Sequence, residues 1–208
     1  MSQTLRTADT NGEAAVAAYL DKYFYPKYCQ NTERKSDKAS QLAGVDIIFD
    51  LANQQHLMTD EKAMLHYINK NIPTFAFELS FLNINGKLSQ GWLFDSTKRT
   101  AYYLLTWITA KKDKHINCDD IIALEIIIVS REAIIKMLQR HNFDKVSILQ
   151  KAQNIRDNNE IRQSGKTQGQ PFYFFFTEFL AEKPINVIIH KAELIRLATA
   201  HFPKVSPT

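Results

Sequence analysis

Residues 44–64 read Gly44-Val45-Asp46-Ile47-Ile48-Phe49-Asp50-Leu51-Ala52-Asn53-Gln54-Gln55-His56-Leu57-Met58-Thr59-Asp60-Glu61-Lys62-Ala63-Met64. In the first half, Val45, Ile47, Phe49 and Leu51 alternate with a second set that includes Asp46 and Asp50, the period-two pattern of a strand. Asn53-Gln54-Gln55 reads as a turn, and His56 to Met64 as the returning strand. Successive side chains on a strand point to opposite faces, so Asp60 and Lys62 share one face and Glu61 takes the other. Pairing through a turn near residue 54 sets Asp46 beside Asp60. Two carboxylates so placed suit a hard divalent cation, and the backbone carbonyl of Glu61 offers a third oxygen. Lys62 then sits where an ammonium can orient an attacking water or neutralise charge on a phosphate. A carboxylate separation beyond about 6 Å would exclude a shared cation, whose oxygen bonds run roughly 2.0–2.6 Å.

Working outward, Asn11-Gly12-Glu13 introduces an Ala-rich stretch in which Val16, Tyr19, Leu20, Tyr23 and Phe24 recur at helical spacing. This predicts a helix from about residue 12 to about 25, capped by Asn11 and ended by Pro26. Gln30 to Gln41 is charged and lacks apolar periodicity, and is expected to be a loop. Beyond the hairpin, Thr74 to Phe81 reads as a strand, and the aromatic, β-branched run Thr100 to Thr109 as a strand in preference to a helix. Ile121 to Val129 is nearly continuous Ile, Val and Leu, the pattern of a strand buried on both faces, and it runs into a helix that Ser130 can cap. Residues 150 to 170 are rich in Gln, Asn, Lys and Arg and are expected to be a mobile loop. Phe172 to Phe179 and Ile185 to Ile189 predict a hairpin, and Ala192 to His201 a closing helix.

The expected class is therefore α+β, a central mixed β-sheet with flanking helices. With 208 residues the chain is expected to form a single domain, its core at about 12–142 and a C-terminal extension at about 143–208. The composition, 45% hydrophobic and 23% charged, excludes a mostly disordered or collagen-like chain. No apolar run approaches the roughly 20 residues of a membrane span, and the first residues lack the apolar core of a signal peptide. A cytoplasmic protein without a membrane partner is the expectation. Two cysteines, Cys29 and Cys118, are too few for a disulfide scaffold or a four-thiolate zinc site. The formal charge of +4 permits a polyanionic partner without demanding one.

The helical Glu13, the strand Asp46 and the triplet Asp60-Glu61-Lys62, in that order over roughly residues 12 to 64, resemble the PD-(D/E)XK nuclease superfamily. The resemblance implies a restriction-endonuclease-like core with C-terminal strand and helix additions. It also implies Mg²⁺-dependent hydrolysis of DNA phosphodiester bonds, with Mn²⁺ as a possible substitute. Asp46 and Asp60 would be metal ligands together with the Glu61 carbonyl. Lys62 would position the water, and Glu13 would be an accessory ligand or water contact. The pattern departs from the family in having Val45 where a Pro precedes the first acid. An acid-x-Lys triplet is expected by chance about once or twice in such a chain, and Glu33-Arg34-Lys35 is another, in the polar stretch. The surrounding strand, turn and helix distinguish Asp60-x-Lys62. Double-strand cleavage would call for a homodimer.

Each of these residues also has a structural reading. Asp46, Asp60 and Lys62 can form the solvated face of a hairpin, with Lys62 paired across strands. An acid such as Glu13 is expected near a helix start on dipole grounds alone. Asp50 shares the face of Asp46 and is the alternative ligand, with Asp46 preferred. The basic residues Lys98, Arg99, Lys111, Lys112, Arg156, Arg162 and Lys166 could track a nucleic-acid backbone or be solvated charge. The six histidines lack metal-ligand spacing, no Gly-x-Ser-x-Gly turn is present, and no Gly-rich phosphate loop precedes a helix. The competing function is a non-catalytic nucleic-acid-binding or protein-interaction module, with an unknown partner protein. A phosphatase acting on small monoesters is a third reading.

Overall fold

The computed structural model describes residues 2–158 and 170–207. In chain order its elements are α1 (Ser2–Tyr23), α2 (Tyr25–Tyr28), β1 (Gln30–Arg34), α3 (Lys38–Leu42), β2 (Ile47–Leu51) and β3 (Gln54–Ala63). Then come β4 (Thr74–Leu82), β5 (Leu88–Gln90), β6 (Tyr102–Ala110), β7 (Ile121–Ser130), α4 (Arg131–Arg140) and α5 (Lys145–Asp157). The order ends with β8 (Phe172–Phe176), β9 (Ile185–His190), α6 (Lys191–Leu197) and β10 (Ala200–Val205). The class is α+β, as expected, with a mixed six-stranded sheet and accompanying helices. No helix among the described residues is long and apolar enough to cross a membrane.

The chain divides into two compact units that alternate along the sequence. The first takes Met1–Ile72, Arg99–Ser130 and Ala198–Thr208, and the second takes Pro73–Lys98 and Arg131–Leu197. The division does not follow the boundary expected near residue 142.

The six-stranded sheet belongs to the first unit, in the order β1-β2-β3-β6-β7-β10. β3 and β6 run parallel, Asp60 opposite Tyr103 and Lys62 opposite Leu105, while the other neighbours are antiparallel. The alternation read in 44–64 becomes register here: Ile47 faces Thr59, Ile48 faces Met58 and Phe49 faces Leu57. Ile47, Phe49 and Leu57 join Leu104, Ile108, Leu124, Ile126 and Ile128 in a core covered by Val16, Tyr19 and Leu20 of α1 and by Phe24 and Tyr25. Each fully buried apolar side chain of this size contributes about 1.5–3 kcal/mol. The Tyr19 hydroxyl donates to the carbonyls of Val205 at 3.1 Å and Ile122 at 3.3 Å, which fixes α1 across the sheet.

The second unit holds a four-stranded antiparallel sheet, β5-β4-β9-β8. The expected aromatic hairpin is present as β8 and β9, with Phe172, Phe174 and Phe176 buried in alternation. Arg131 gathers the carbonyls of Leu93, Asp95 and Lys98 on its guanidinium at 2.7–3.2 Å, and so holds the 91–98 segment.

Four expectations are corrected. α1 begins ten residues before the expected start, and Pro26 lies in the first turn of α2, where its missing N–H costs nothing. Gln30–Gln41 is not a loop: it holds β1 and α3, and β1 escaped notice because its side chains are largely exposed and carry no apolar pattern. The expected mobile loop at 150–170 begins inside α5, which runs to Asp157 on buried Ile148, Ala152 and Ile155. The closing helix stops at Leu197, and 200–205 form β10, an edge strand that accommodates Pro203.

Candidate functional site

Gly44 delivers the chain to the site. It follows α3 at φ +70°, a left-handed conformation open to glycine, and its N–H caps the Gln41 carbonyl. Two residues on, the backbone of Asp46 is held from both sides. Its N–H donates to the Thr59 carbonyl at 2.9 Å, and its carbonyl accepts from Lys35 N–H at 2.8 Å. The Asp46 carboxylate turns to β3, where Oδ2 accepts the Glu61 N–H at 2.8 Å.

Asp60 and Lys62 share the opposite face of β3 from Leu57 and Glu61. Lys62 Nζ donates to Asp60 Oδ1 at 2.6 Å; the aspartate side chain is 8% exposed and the lysine side chain 32%. Burial pushes the Asp60 carboxyl up to about 7. Lys62 opposes that rise, and Asp46 adds to it both by its charge and as a hydrogen-bond partner. Asp46 is thus close enough to Asp60 for the two carboxylates to act on each other. Burial works against the charge on Lys62, yet Asp60, then Asp46 and Glu13, outweigh it and hold the ammonium above its ordinary pKa.

Glu61 points to the core face. Tyr25 donates its hydroxyl to Glu61 Oε1 at 2.6 Å, and Arg34 donates Nη1 to Oε2 at 2.9 Å and Nη2 to Oε1 at 3.0 Å. Arg34 also forks onto the Asp21 carboxylate, at 2.7 Å at its closest. Burial lowers the Arg34 pKa, but the bonds to Glu61 and Asp21 outweigh it and hold the guanidinium charged. Burial, then the Glu61 charge, raise the Tyr25 phenol well above its ordinary range, so it remains a donor.

The donor chemistry can be tested against a divalent cation. A half-buried carboxylate, Asp46, beside a buried one, Asp60, whose proton is held mainly by burial and further by the Asp46 charge, forms an oxygen set that a hard cation relieves. Thr59 and Glu61 direct backbone groups toward Asp46, whereas the Met58 carbonyl accepts from Ala101 on the β6 side. A strand residue's N–H and C=O point to the same edge, so the Glu61 carbonyl lies on the edge of β3 from which its N–H reaches Asp46. The residues fit a cation of this kind. Among the described residues no three His, Cys, Asp or Glu side chains gather as a metal group, so the carboxylates form a pair rather than a triad. Glu13 lies exposed on α1 and reaches the site through its charge on Lys62.

The remaining expected residues are dispersed. Asp50 turns to the hairpin end, accepting from Asn31 Nδ2 and from the His56 N–H, both at 2.6 Å, which excludes it from the carboxylate pair. Lys111 donates to the Asp119 carbonyl at 2.8 Å, and Lys112 pairs with Asp120 at 2.9 Å, so both brace the 111–120 turn. Arg99 is exposed and Lys98 half-buried. Arg156 donates to the Lys183 carbonyl at 2.8 Å and to Ser80 Oγ at 3.2 Å, above the Phe176 ring. Arg162 and Lys166 lie outside the described residues. Cys29 and Cys118 are both free and half-buried, and burial pushes the Cys29 thiol up to about 12.

Arg34, Tyr25 and Asp21 were missed in the sequence. Arg34 stands in the other acid-x-Lys triplet, and no periodicity links it to Glu61, 27 residues on. No family model matches the chain, and no curated protein or solved structure is similar to it.

Proposed function

We propose that the first unit is a divalent-cation-dependent nuclease of PD-(D/E)XK type, hydrolysing DNA phosphodiester bonds. The observation that carries this reading is the pairing of buried Asp60 with half-buried Asp46, with Lys62 beside them, at the open end of the β2–β3 hairpin. The chain order also supports it: a helix with Glu13, a strand opened by Asp46, a strand with Asp60-x-Lys62, and then a strand parallel to that one.

Asp46 and Asp60 would hold Mg²⁺, or Mn²⁺ in its place, with the Glu61 carbonyl as a third oxygen. Such a cation supplies charge stabilisation at the phosphate and a water of lowered pKa. Asp60 must give up its proton to serve as a ligand, and its carboxyl, raised to about 7, holds that proton more tightly than an ordinary aspartate, so cation binding strengthens as pH rises through neutral. Lys62, kept cationic by the surrounding carboxylates, donates an N–H to the attacking water or to a phosphate oxygen. Glu13 adds negative charge from α1 that helps to keep Lys62 protonated. The partner is DNA, a homodimer would make double-strand cuts, and the two free thiols suit the cytoplasm.

A second reading, a DNA-binding or protein-interaction module without catalysis, is favoured by the existing 2.6 Å Lys62–Asp60 pair, which satisfies both groups without a ligand. Cleavage of supercoiled plasmid with Mg²⁺, Mn²⁺ or EDTA, beside Asp60→Ala, decides between them. Metal-dependent nicking that the variant loses is the expected result. Salt-sensitive binding without nicking selects the DNA-binding form of the second reading, and the absence of both activities sinks the nuclease and the DNA-binding module alike.

A further inference from the structure

The Glu61 peptide sits where the candidate site is assembled, because its N–H holds Asp46 and its carbonyl faces the same edge. The side chain of that residue is anchored on the opposite face of the sheet by three hydrogen bonds of 2.6–3.0 Å from Tyr25 and Arg34. The anchors are themselves fixed. Arg34 meets Asp21 through a bidentate fork and lies over the Tyr25 ring, 5.8 Å from its centroid. That ring packs on Phe49 of β2, 5.4 Å between centroids. The residue after Arg34, Lys35, donates its backbone N–H to the Asp46 carbonyl. One short segment of chain therefore ties both the strand of Asp46 and the strand of Asp60.

Glu61 occupies a core-facing position in line with Leu57, where an ion pair to the partly exposed Arg34 is often no more stabilising than apolar side chains of the same volume. What the charged clamp adds is direction. A carboxylate gripped at both oxygens by a planar fork cannot rotate, so the peptide that carries it keeps one orientation.

We propose that Arg34, backed by Asp21 and Tyr25, is a positioning residue for the candidate cation site. It would act through Glu61 to hold Asp46 and the Glu61 carbonyl in the geometry that accepts a divalent cation. This inference rests on the function proposed above.

Titration calorimetry of the EDTA-treated full chain with Mn²⁺ alone at pH 8 tests it, with far-UV circular dichroism and thermal unfolding run alongside. Wild type is expected to bind and Asp60→Asn to lose binding. Arg34→Gln should bind about 10-fold more weakly or worse with its circular dichroism unchanged, as for other residues that orient metal ligands. Arg34→Lys should recover part of the loss by returning a charge to Glu61. If Arg34→Gln does not fold, Tyr25→Phe, which deletes one hydroxyl, carries the test and should also weaken Mn²⁺. Wild-type affinity in the folded Arg34 or Tyr25 variant, with only a lower melting temperature, overturns the inference and leaves the nuclease reading standing. Absence of Mn²⁺ binding by wild type overturns the nuclease reading, and the inference with it.

Discussion

The Glu61 backbone N–H donates to Asp46 Oδ2 at 2.8 Å, across 15 residues of chain and from one strand of a hairpin to the mouth of the other. That bond fixes which way the Asp46 carboxylate faces, and it leaves the other oxygen for Asp60 or a ligand.

Asp60 makes the fold sensitive to pH. Its carboxyl is raised to about 7 by burial, so the folded state holds the proton more tightly than the unfolded chain. Stability from this group is full below the ordinary aspartate pKa of about 4 and is lost as pH rises through about 7, a change of roughly 4 kcal/mol at most. Asp60→Asn should therefore unfold at a higher urea concentration than wild type at pH 8, with the gap closing toward pH 4. A gap that widens toward acid would refute this assignment.

Divalent cations should act in the opposite sense. Binding requires Asp60 to release its proton, so Mg²⁺ or Mn²⁺ should raise the melting temperature more at pH 8 than at pH 5.5. At ten times the dissociation constant the stabilisation is about 1.4 kcal/mol, or roughly 3–6 °C for a chain of this size. Differential scanning fluorimetry with and without EDTA reads it directly.

Lys62→Ala should abolish cleavage while leaving the fold largely intact, because the lysine side chain is partly exposed and its loss opens no apolar cavity. It should also raise the Asp60 pKa further, since Lys62 is the group that opposes burial there. Carboxyl titration followed by NMR would show the shift, and an unchanged or lowered value would count against the pairing.

Gly44→Ala should destabilise the first unit by roughly 1–2 kcal/mol, the cost of a left-handed backbone for a residue with a Cβ. Urea unfolding of the variant measures it. A neutral result would mean that α3 can end in another conformation without displacing Asp46.

If DNA is the partner, the salt dependence of binding should separate the basic residues. Neutralising the exposed Arg99 should reduce the slope of log affinity against log salt by about one. Arg156→Gln should leave that slope alone and lower stability instead, because both of its Nη groups bond within the second unit, to the Lys183 carbonyl and Ser80. The reverse pattern in filter binding would overturn the placement of Arg156.

The parts legible in the sequence are those with an apolar period. Ile47, Phe49 and Leu57 predicted β2 and β3 and the face shared by Asp60 and Lys62, and the Ile-rich run predicted β7. β1 was invisible because an edge strand is held by its backbone ladder to β2, and Gln30–Arg34 needs no buried side chain to join it. α5 was obscured because three buried residues, Ile148, Ala152 and Ile155, suffice for a helix whose other faces are polar. The site divides in the same way. Asp46, Asp60 and Lys62 lie on adjacent strands joined by a turn, so local spacing brings them together. Arg34 and Tyr25 reach Glu61 only through the packing of α2 and β1, which no short-range pattern encodes.

β10 closes one edge of the six-stranded sheet by pairing with β7, yet residues 131–199 separate the two strands in the chain. During synthesis, the isoleucine-rich β7 therefore leaves the ribosome well before its neighbour exists. At about 5–20 residues per second the delay is on the order of ten seconds. Throughout it, β7 presents a row of unsatisfied backbone N–H and C=O groups to any other nascent chain. Newborn chains of this protein thus pass through an interval in which the isoleucine-rich β7 edge is open to self-association, whereas in the finished molecule the shorter, Pro203-containing β10 covers it and takes the edge position.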